Sequence, residues 1–197
     1  MRRTIYNTPV LKQILTAVSW LFLKLIGWKL EGRPPTEPKY VLIAVPHTTN
    51  WDFPITLAMA FVFDFEIFWM GKDSLFKGWK GPVMRWMGGI AIDRSSSNNV
   101  VEQTIEAFNN NERLVVTIPP EGTRSKVDKW KTGFYYIAKG ANIPVVMFAF
   151  DFENKQIIIA PPYYLTDDMN ADMNHFYDFY RDIKGAKPDL FSVPNKE

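Results

Sequence analysis

The chain has 197 residues, of which 47% are apolar and 22% charged, enough to bury a continuous core and too apolar for a disordered or collagen-like chain. It contains no cysteine and only two histidines, His47 and His175, so a disulfide scaffold, a thiolate metal site and a cysteine nucleophile are excluded and a centre built on several imidazoles is disfavoured. A net charge of +2 is too balanced for a general nucleic-acid binder.

The first 33 residues carry six basic groups against Glu31, whereas residues 151–197 carry nine acidic groups against five basic ones. Residues 10–28 (VLKQILTAVSWLFLKLIGW) read as an amphipathic helix with a wide apolar face. Leu11, Ile14, Leu15, Val18, Leu21, Phe22, Leu25 and Ile26 fall on one side. Lys12, Gln13, Thr16, Ser19, Lys24 and Gly27 fall on the other, interrupted by Trp20 and Leu23. The uncharged run between Lys12 and Lys24 covers about 16 Å as a helix, too little for about 30 Å of hydrocarbon. No small-residue cleavage site follows, which disfavours a signal peptide. The helix packs either in the core or in a membrane interface, with Trp20 and Trp28 at headgroup level.

Gly32-Arg33-Pro34-Pro35 ends this segment. Residues 40–45 (YVLIAV) form a continuous apolar run, as in a buried strand. Further strands are expected at 65–70, 90–92, 114–118, 143–150 and 156–160. Helices are expected at 53–63, 76–86, 98–110, 132–140 and 172–184. Strands alternating with helices indicate an α/β layer fold on a mostly parallel or mixed sheet.

Three segments at strand ends carry candidate chemistry. In Pro46-His47-Thr48-Thr49-Asn50-Trp51-Asp52, one turn brings the Asp52 carboxylate back onto the His47 imidazole. A carboxylate on one ring nitrogen leaves the other as a base. A buried histidine beside a helix-capping aspartate has the same pattern. In Pro119-Pro120-Glu121-Gly122-Thr123-Arg124-Ser125, Gly122 lets backbone amides approach a ligand and Arg124 grips a phosphate bidentately. A polar surface turn reads the same way. Arg94, after the strand at 90–92, and Lys72, at another strand end, are further anion-holding candidates; an ion pair at the surface accounts equally for Asp93-Arg94. His175, in an acidic helix, reads as an exposed helical side chain.

Taken together, these segments make the chain resemble the glycerolipid acyltransferase family, typified by 1-acylglycerol-3-phosphate acyltransferase. The resemblance covers roughly residues 40–150. An H-x4-D block matches His47 and Asp52, and a K-x-x-L block matches Lys72 and Leu75. A G-x12-R spacing matches Gly81 and Arg94, E-G-T-R matches Glu121 to Arg124, and an apolar-Pro block matches Ile143-Pro144-Val145. Three departures bear on acceptor and acyl-chain preference: one residue fewer between Leu75 and Gly81, Pro119 in place of a common Phe, and Met147 in place of a second Pro.

The resemblance implies an α/β fold of glycerophosphate-acyltransferase type, with residues 1–33 as a membrane-interface helix and 34–197 as the acyltransferase domain. It implies transfer of a fatty acyl group from acyl-CoA or acyl-carrier protein to a lysolipid hydroxyl, foremost that of 1-acylglycerol-3-phosphate. His47 is then the base and Asp52 its orienting acid; Arg124, Arg94 and Lys72 hold the acceptor phosphate. Glu121, Gly122 and Thr123 form the acceptor and oxyanion loop, with Glu121 either bonding the acceptor or organising the loop. No metal or redox cofactor and no nucleic acid is implied, and the expected place is the cytoplasmic face of the membrane, peripheral or monotopic. Another lysolipid or an acylated amino-acid lipid as acceptor, a His/Asp thioester or lipid-ester hydrolase, and a non-catalytic lipid-binding module are the alternatives. The absence of a Gly-x-Ser-x-Gly elbow disfavours a serine hydrolase.

Overall fold

Residues 40–45 are apolar at every position because both faces of their strand are covered. In the computed structural model, which describes residues 3–93, 95 and 97–194, they belong to β2 (Lys39–Val45). Tyr40, Leu42 and Ala44 enter one core cluster; Val41, Ile43 and Val45 enter the other. The remaining strands are β1 (Lys29–Glu31), β3 (Phe68–Lys72), β4 (Gly89–Ile92), β5 (Leu114–Ile118), β6 (Val145–Asp151) and β7 (Gln156–Ile159). Their order in the sheet is β1-β7-β6-β2-β5-β3-β4.

Strands β2 to β6 are mutually parallel, and each is joined to the next by a helix. β7 runs antiparallel to β6, and β1 parallel to β7, so the sheet is mixed. Helices α1 (Leu11–Leu25) and α2 (Asp52–Val62) cover one face. Helices α4 (Ser97–Asn109), α5 (Gly133–Ala141) and α6 (Met169–Tyr180) cover the other. The short α3 (Lys80–Trp86) links β3 to β4. The parallel strands therefore deliver the segments after β2, β3, β4 and β5 to one edge, where reactive groups gather in α/β sheets.

Five elements depart from expectation. β1 was not anticipated; it is three residues long and pairs with β7, Lys29 opposite Gln156 and Glu31 opposite Ile158, and the Gln156 side-chain amide donates to the Glu31 carboxylate at 3.3 Å. The strand expected at 65–70 begins at Phe68, because Glu66 turns to accept bonds from the Thr4 hydroxyl and the Asn7 amide. The helix expected at 76–86 divides into a 3₁₀ turn (Asp73–Phe76) and α3, broken at Gly78, whose φ is +60°. The last helix starts earlier than expected, at Met169, because the Asp168 side chain caps it through the amides of Asn170 and Ala171.

The N-terminal helix differs most. Its wide apolar face is shared between two environments. Leu11, Leu15, Phe22 and Ile26 pack on the body, with Leu23 fully buried. Val10, Ile14, Val18, Leu21 and Leu25 form a stripe pointing outward, Leu25 being 76% exposed. Part of the expected polar side faces inward instead: Ser19 is buried and Thr16 donates to the Phe61 carbonyl, while Lys12 pairs with the exposed Asp64 at the rim. Ahead of the helix, Ile5 and Tyr6 are buried in the same cluster. β1, α1 and this anchor thus join the described N-terminal residues to the rest of the chain. Among the described residues no helix is long and apolar enough to cross a membrane.

Candidate active site

His47 follows β2 by two residues, after a cis Val45–Pro46 peptide. Asp52 opens α2 and is 2% exposed. The loop between them closes on the carboxylate. Asp52 Oδ2 meets His47 Nδ1 at 3.1 Å and accepts the Thr49 N–H at 3.0 Å, while Oδ1 accepts the Thr49 hydroxyl at 3.0 Å. Asp52 is thereby both the loop's organiser and the partner of the imidazole; it does not cap α2, whose N-cap is Trp51 with no side-chain bond, so the helix-capping reading falls. With Nδ1–H directed to the carboxylate, Nε2 is the nitrogen left as a base. Thr49 was not singled out from sequence, although a threonine three residues before an aspartate is a recognisable local bonding pattern.

The second loop joins from the neighbouring strand. β5 lies beside β2 in register, Ile43 opposite Ile118, so Glu121 emerges next to His47. Glu121 is 5% exposed, and its Oε1 accepts the backbone N–H of His47 at 2.8 Å. Oε2 is buried without a protein partner, as is Trp130 Nε1 in the same loop. Burial pushes the Glu121 carboxyl up to about 7, against the lowering effect of the His47 amide and imidazole. Of the two roles anticipated for Glu121, the geometry is that of organising the loop.

Gly122 takes φ +65°, and the Lys131 side chain passes where a Cβ would stand, 2.8 Å from it. Its N–H donates to the Pro119 carbonyl at 3.1 Å. That amide closes the turn. Thr123 Oγ1 accepts the Ser125 N–H at 3.3 Å. Thr123 and Arg124 are exposed on the loop that Glu121 ties to His47. Lys72 is exposed at the end of β3, two strands from β2 in the sheet and at the same edge. Arg94 lies outside the described residues. The expected Asp93–Arg94 ion pair therefore lies outside the described residues; the Asp93 side chain accepts from the Ser95 N–H and hydroxyl and the Asn99 amide.

A cavity of about 90 Å³ opens beside the imidazole, lined by His47, Asp52, Phe53, Leu57, Trp69, Thr117 and Phe150 among others. Apart from the dyad, two threonines and Tyr6, its wall is mostly apolar. A larger cavity of about 550 Å³ lies elsewhere, between β7 and α6, where the exposed His175 stacks on Tyr163 at 4.3 Å. It contains none of the groups of the His47 site. Among the described residues no group of three or more His, Cys, Asp or Glu side chains is arranged to hold a metal.

Below the site, Tyr180 pins the sheet: its hydroxyl donates to the Ile43 carbonyl at 2.8 Å and accepts the Phe148 N–H at 2.9 Å. The loop after Pro46 is further fastened by the Thr48 hydroxyl, which accepts the Lys187 N–H at 3.3 Å. Neither contact has a local sequence signature.

The family model described as Acyltransferase matches residues 29–151. Among solved structures, the 1-acyl-sn-glycerophosphate (LPA) acyltransferase PlsC from Thermotoga maritima is similar, at 16% identity and a TM-score of 0.59; the match covers 86% of this chain and 76% of that one. No curated protein matches the sequence significantly.

Proposed function

Since the chain belongs to the acyltransferase family, the enzyme moves an acyl group, and we propose that it moves a fatty acyl group from acyl-CoA or acyl-carrier protein to the free hydroxyl of a lysophospholipid, foremost 1-acylglycerol-3-phosphate. The observation that carries this reading is the His47–Asp52 pair standing at the wall of an apolar cavity. A base stands next to apolar space.

In this mechanism the acceptor hydroxyl attacks the thioester carbonyl while His47 Nε2 takes its proton. Asp52 holds the ring and stabilises the imidazolium. Collapse of the tetrahedral intermediate breaks the carbon–sulfur bond, and the imidazolium returns the proton to the leaving thiolate. No serine nucleophile is needed, because the acceptor oxygen attacks directly. Such base catalysis contributes about 10²–10⁴-fold. Arg124, with Arg94 and Lys72, holds the acceptor phosphate and so places the hydroxyl beside His47. Thr123 and its neighbours in the loop face the developing oxyanion. The reading calls on no cofactor beyond the acyl donor.

The outward stripe of α1 supports attachment to the surface of a membrane, with the basic N-terminal segment toward anionic headgroups. Because acyl-CoA and acyl-carrier protein are cytosolic, the reading places the enzyme on the cytoplasmic face, peripheral or monotopic. Labelled acyl-CoA with a panel of acceptors tests the assignment. Preferential labelling of 1-acylglycerol-3-phosphate is expected. Preference for another lysolipid or an acylated amino-acid lipid would replace the acceptor, and release of free fatty acid irrespective of acceptor would replace transfer by hydrolysis.

A further inference from the structure

The connection from β3 to α3 exposes a second apolar surface that the catalytic reading does not use. Trp79 is 80% exposed, and Leu75 and Val83 are each more than two-fifths exposed. An exposed tryptophan flanked by two aliphatic side chains is an unusual use of surface in a water-soluble environment. The same stretch is basic: Lys72, Lys77, Lys80 and Arg85 stand against Asp73 alone. Lys77 is 3.0 Å from Asp73, and the Lys80 ammonium lies over the Trp79 ring at 5.7 Å. Aromatic and aliphatic groups interleaved with lysines are the composition of an interfacial lipid contact.

The surface is also in the right place. β3 runs parallel to β5, and β5 to β2, so the 3₁₀ turn after Lys72 leaves the same edge of the sheet as His47. At that edge Phe53 is both 46% exposed and part of the lining of the cavity beside His47. The neighbouring Trp51 is more exposed still. The apolar groups thus reach from the cavity wall outward to solvent.

We propose that the protein rests on an anionic bilayer through a second contact, distinct from α1, made by Leu75, Trp79 and Val83 with Lys77 and Lys80 reaching headgroups, so that the cavity at Phe53 opens toward lipid. This deepens the membrane part of the proposed function and rests on it for the location of substrate, not for the chemistry. A second copy of this chain is the poorer occupant, since a two-fold contact would set this lysine-rich surface against itself.

The chain has no cysteine, so Trp79→Cys gives one labelling point for an environment-sensitive nitrobenzoxadiazole probe. Full-length labelled protein is mixed with vesicles of phosphatidylcholine containing 30% phosphatidylglycerol, at about 0.1 M and about 0.5 M salt. A blue shift and brighter emission on vesicle addition, reduced at high salt, are expected. In co-sedimentation, Trp79→Ser/Val83→Ser is expected to lower the vesicle partition coefficient at least about fivefold with α1 intact. Lys77→Gln/Lys80→Gln should lower it by up to about twenty-five-fold on anionic vesicles, about fivefold per lysine, with little change on pure phosphatidylcholine. Circular dichroism checks that the variants fold. The proposal is overturned if the probe stays water-like while the protein is bound, if the variants bind like wild type, or if the wild type binds no vesicles. It is also overturned if the blue shift appears without lipid and tracks protein concentration, the sign of self-association. Binding is scored without turnover, so an error in the assigned reaction leaves this test intact.

Discussion

Glu121 Oε1 accepts the backbone N–H of His47 at 2.8 Å, tying the loop after β5 to the residue that carries the imidazole. The bond has a consequence for both loops. Arg124 sits three residues after this anchor, exposed on the loop that the buried carboxyl fastens. Because that carboxyl is buried, its protonation is linked to folding.

The folded Glu121 carboxyl titrates at about 7, against about 4.3 in an unfolded chain. The folded state therefore binds the proton more tightly. Its stabilising contribution is complete below about pH 4.3 and is lost as pH rises to about 7. Glu121→Gln removes the linkage while keeping an acceptor for the His47 N–H. Measured by denaturant unfolding, the stability of wild type relative to the variant should rise by about 1.4 kcal/mol per pH unit on going from 7 toward 5, and be flat above 8. Parallel pH profiles would contradict the buried titration.

Asp52→Asn keeps an acceptor for the Thr49 amide but removes the charge beside Nδ1. Transfer should fall by up to about 10⁴-fold in kcat, with far-ultraviolet circular dichroism unchanged. A fall confined to KM would contradict its role at the imidazole.

Arg124→Ala removes a charge-assisted pair worth about 1.5–3 kcal/mol. KM for a phosphate-bearing acceptor should rise about tenfold to a hundredfold, and KM for an uncharged lysolipid should not. An equal effect on both acceptors, or none, would count against the phosphate role.

The two sides of α1 predict opposite phenotypes. Val18→Asn/Leu21→Asn/Leu25→Asn alters only outward positions, so stability should change little while vesicle binding drops. Leu23→Ala, on the buried side, should cost about 2–5 kcal/mol measured by denaturant unfolding. Removing residues 1–28 outright would also expose the cluster around Ile5 and Tyr6, so point substitutions are the cleaner measurement. Vesicle binding unaffected by the triple change would contradict attachment through this stripe.

Much of the architecture is written locally. The runs 40–45, 114–118 and 143–150 are apolar because each lies between two helical layers, and β2, β5 and β6 fall there. The approach of Asp52 to His47 is a short-range feature, and five residues of spacing suffice to anticipate it. The remainder depends on contacts distant in sequence. Lys-Leu-Glu at 29–31 has no strand signature, and becomes β1 only because β7 offers an edge. The hidden side of α1 was unpredictable, since nothing near Lys12 signals that Asp64 will lie beside it. Glu121 reads as a polar loop residue, and only the pairing of β2 with β5 reveals that it is buried.

The most direct measurement is single-turnover transfer of labelled acyl groups to 1-acylglycerol-3-phosphate by wild type and His47→Ala, with folding checked by circular dichroism. A loss of about 10²–10⁴-fold in the folded variant is predicted. Retention of more than about a tenth of the wild-type rate would mean that His47 is not the base.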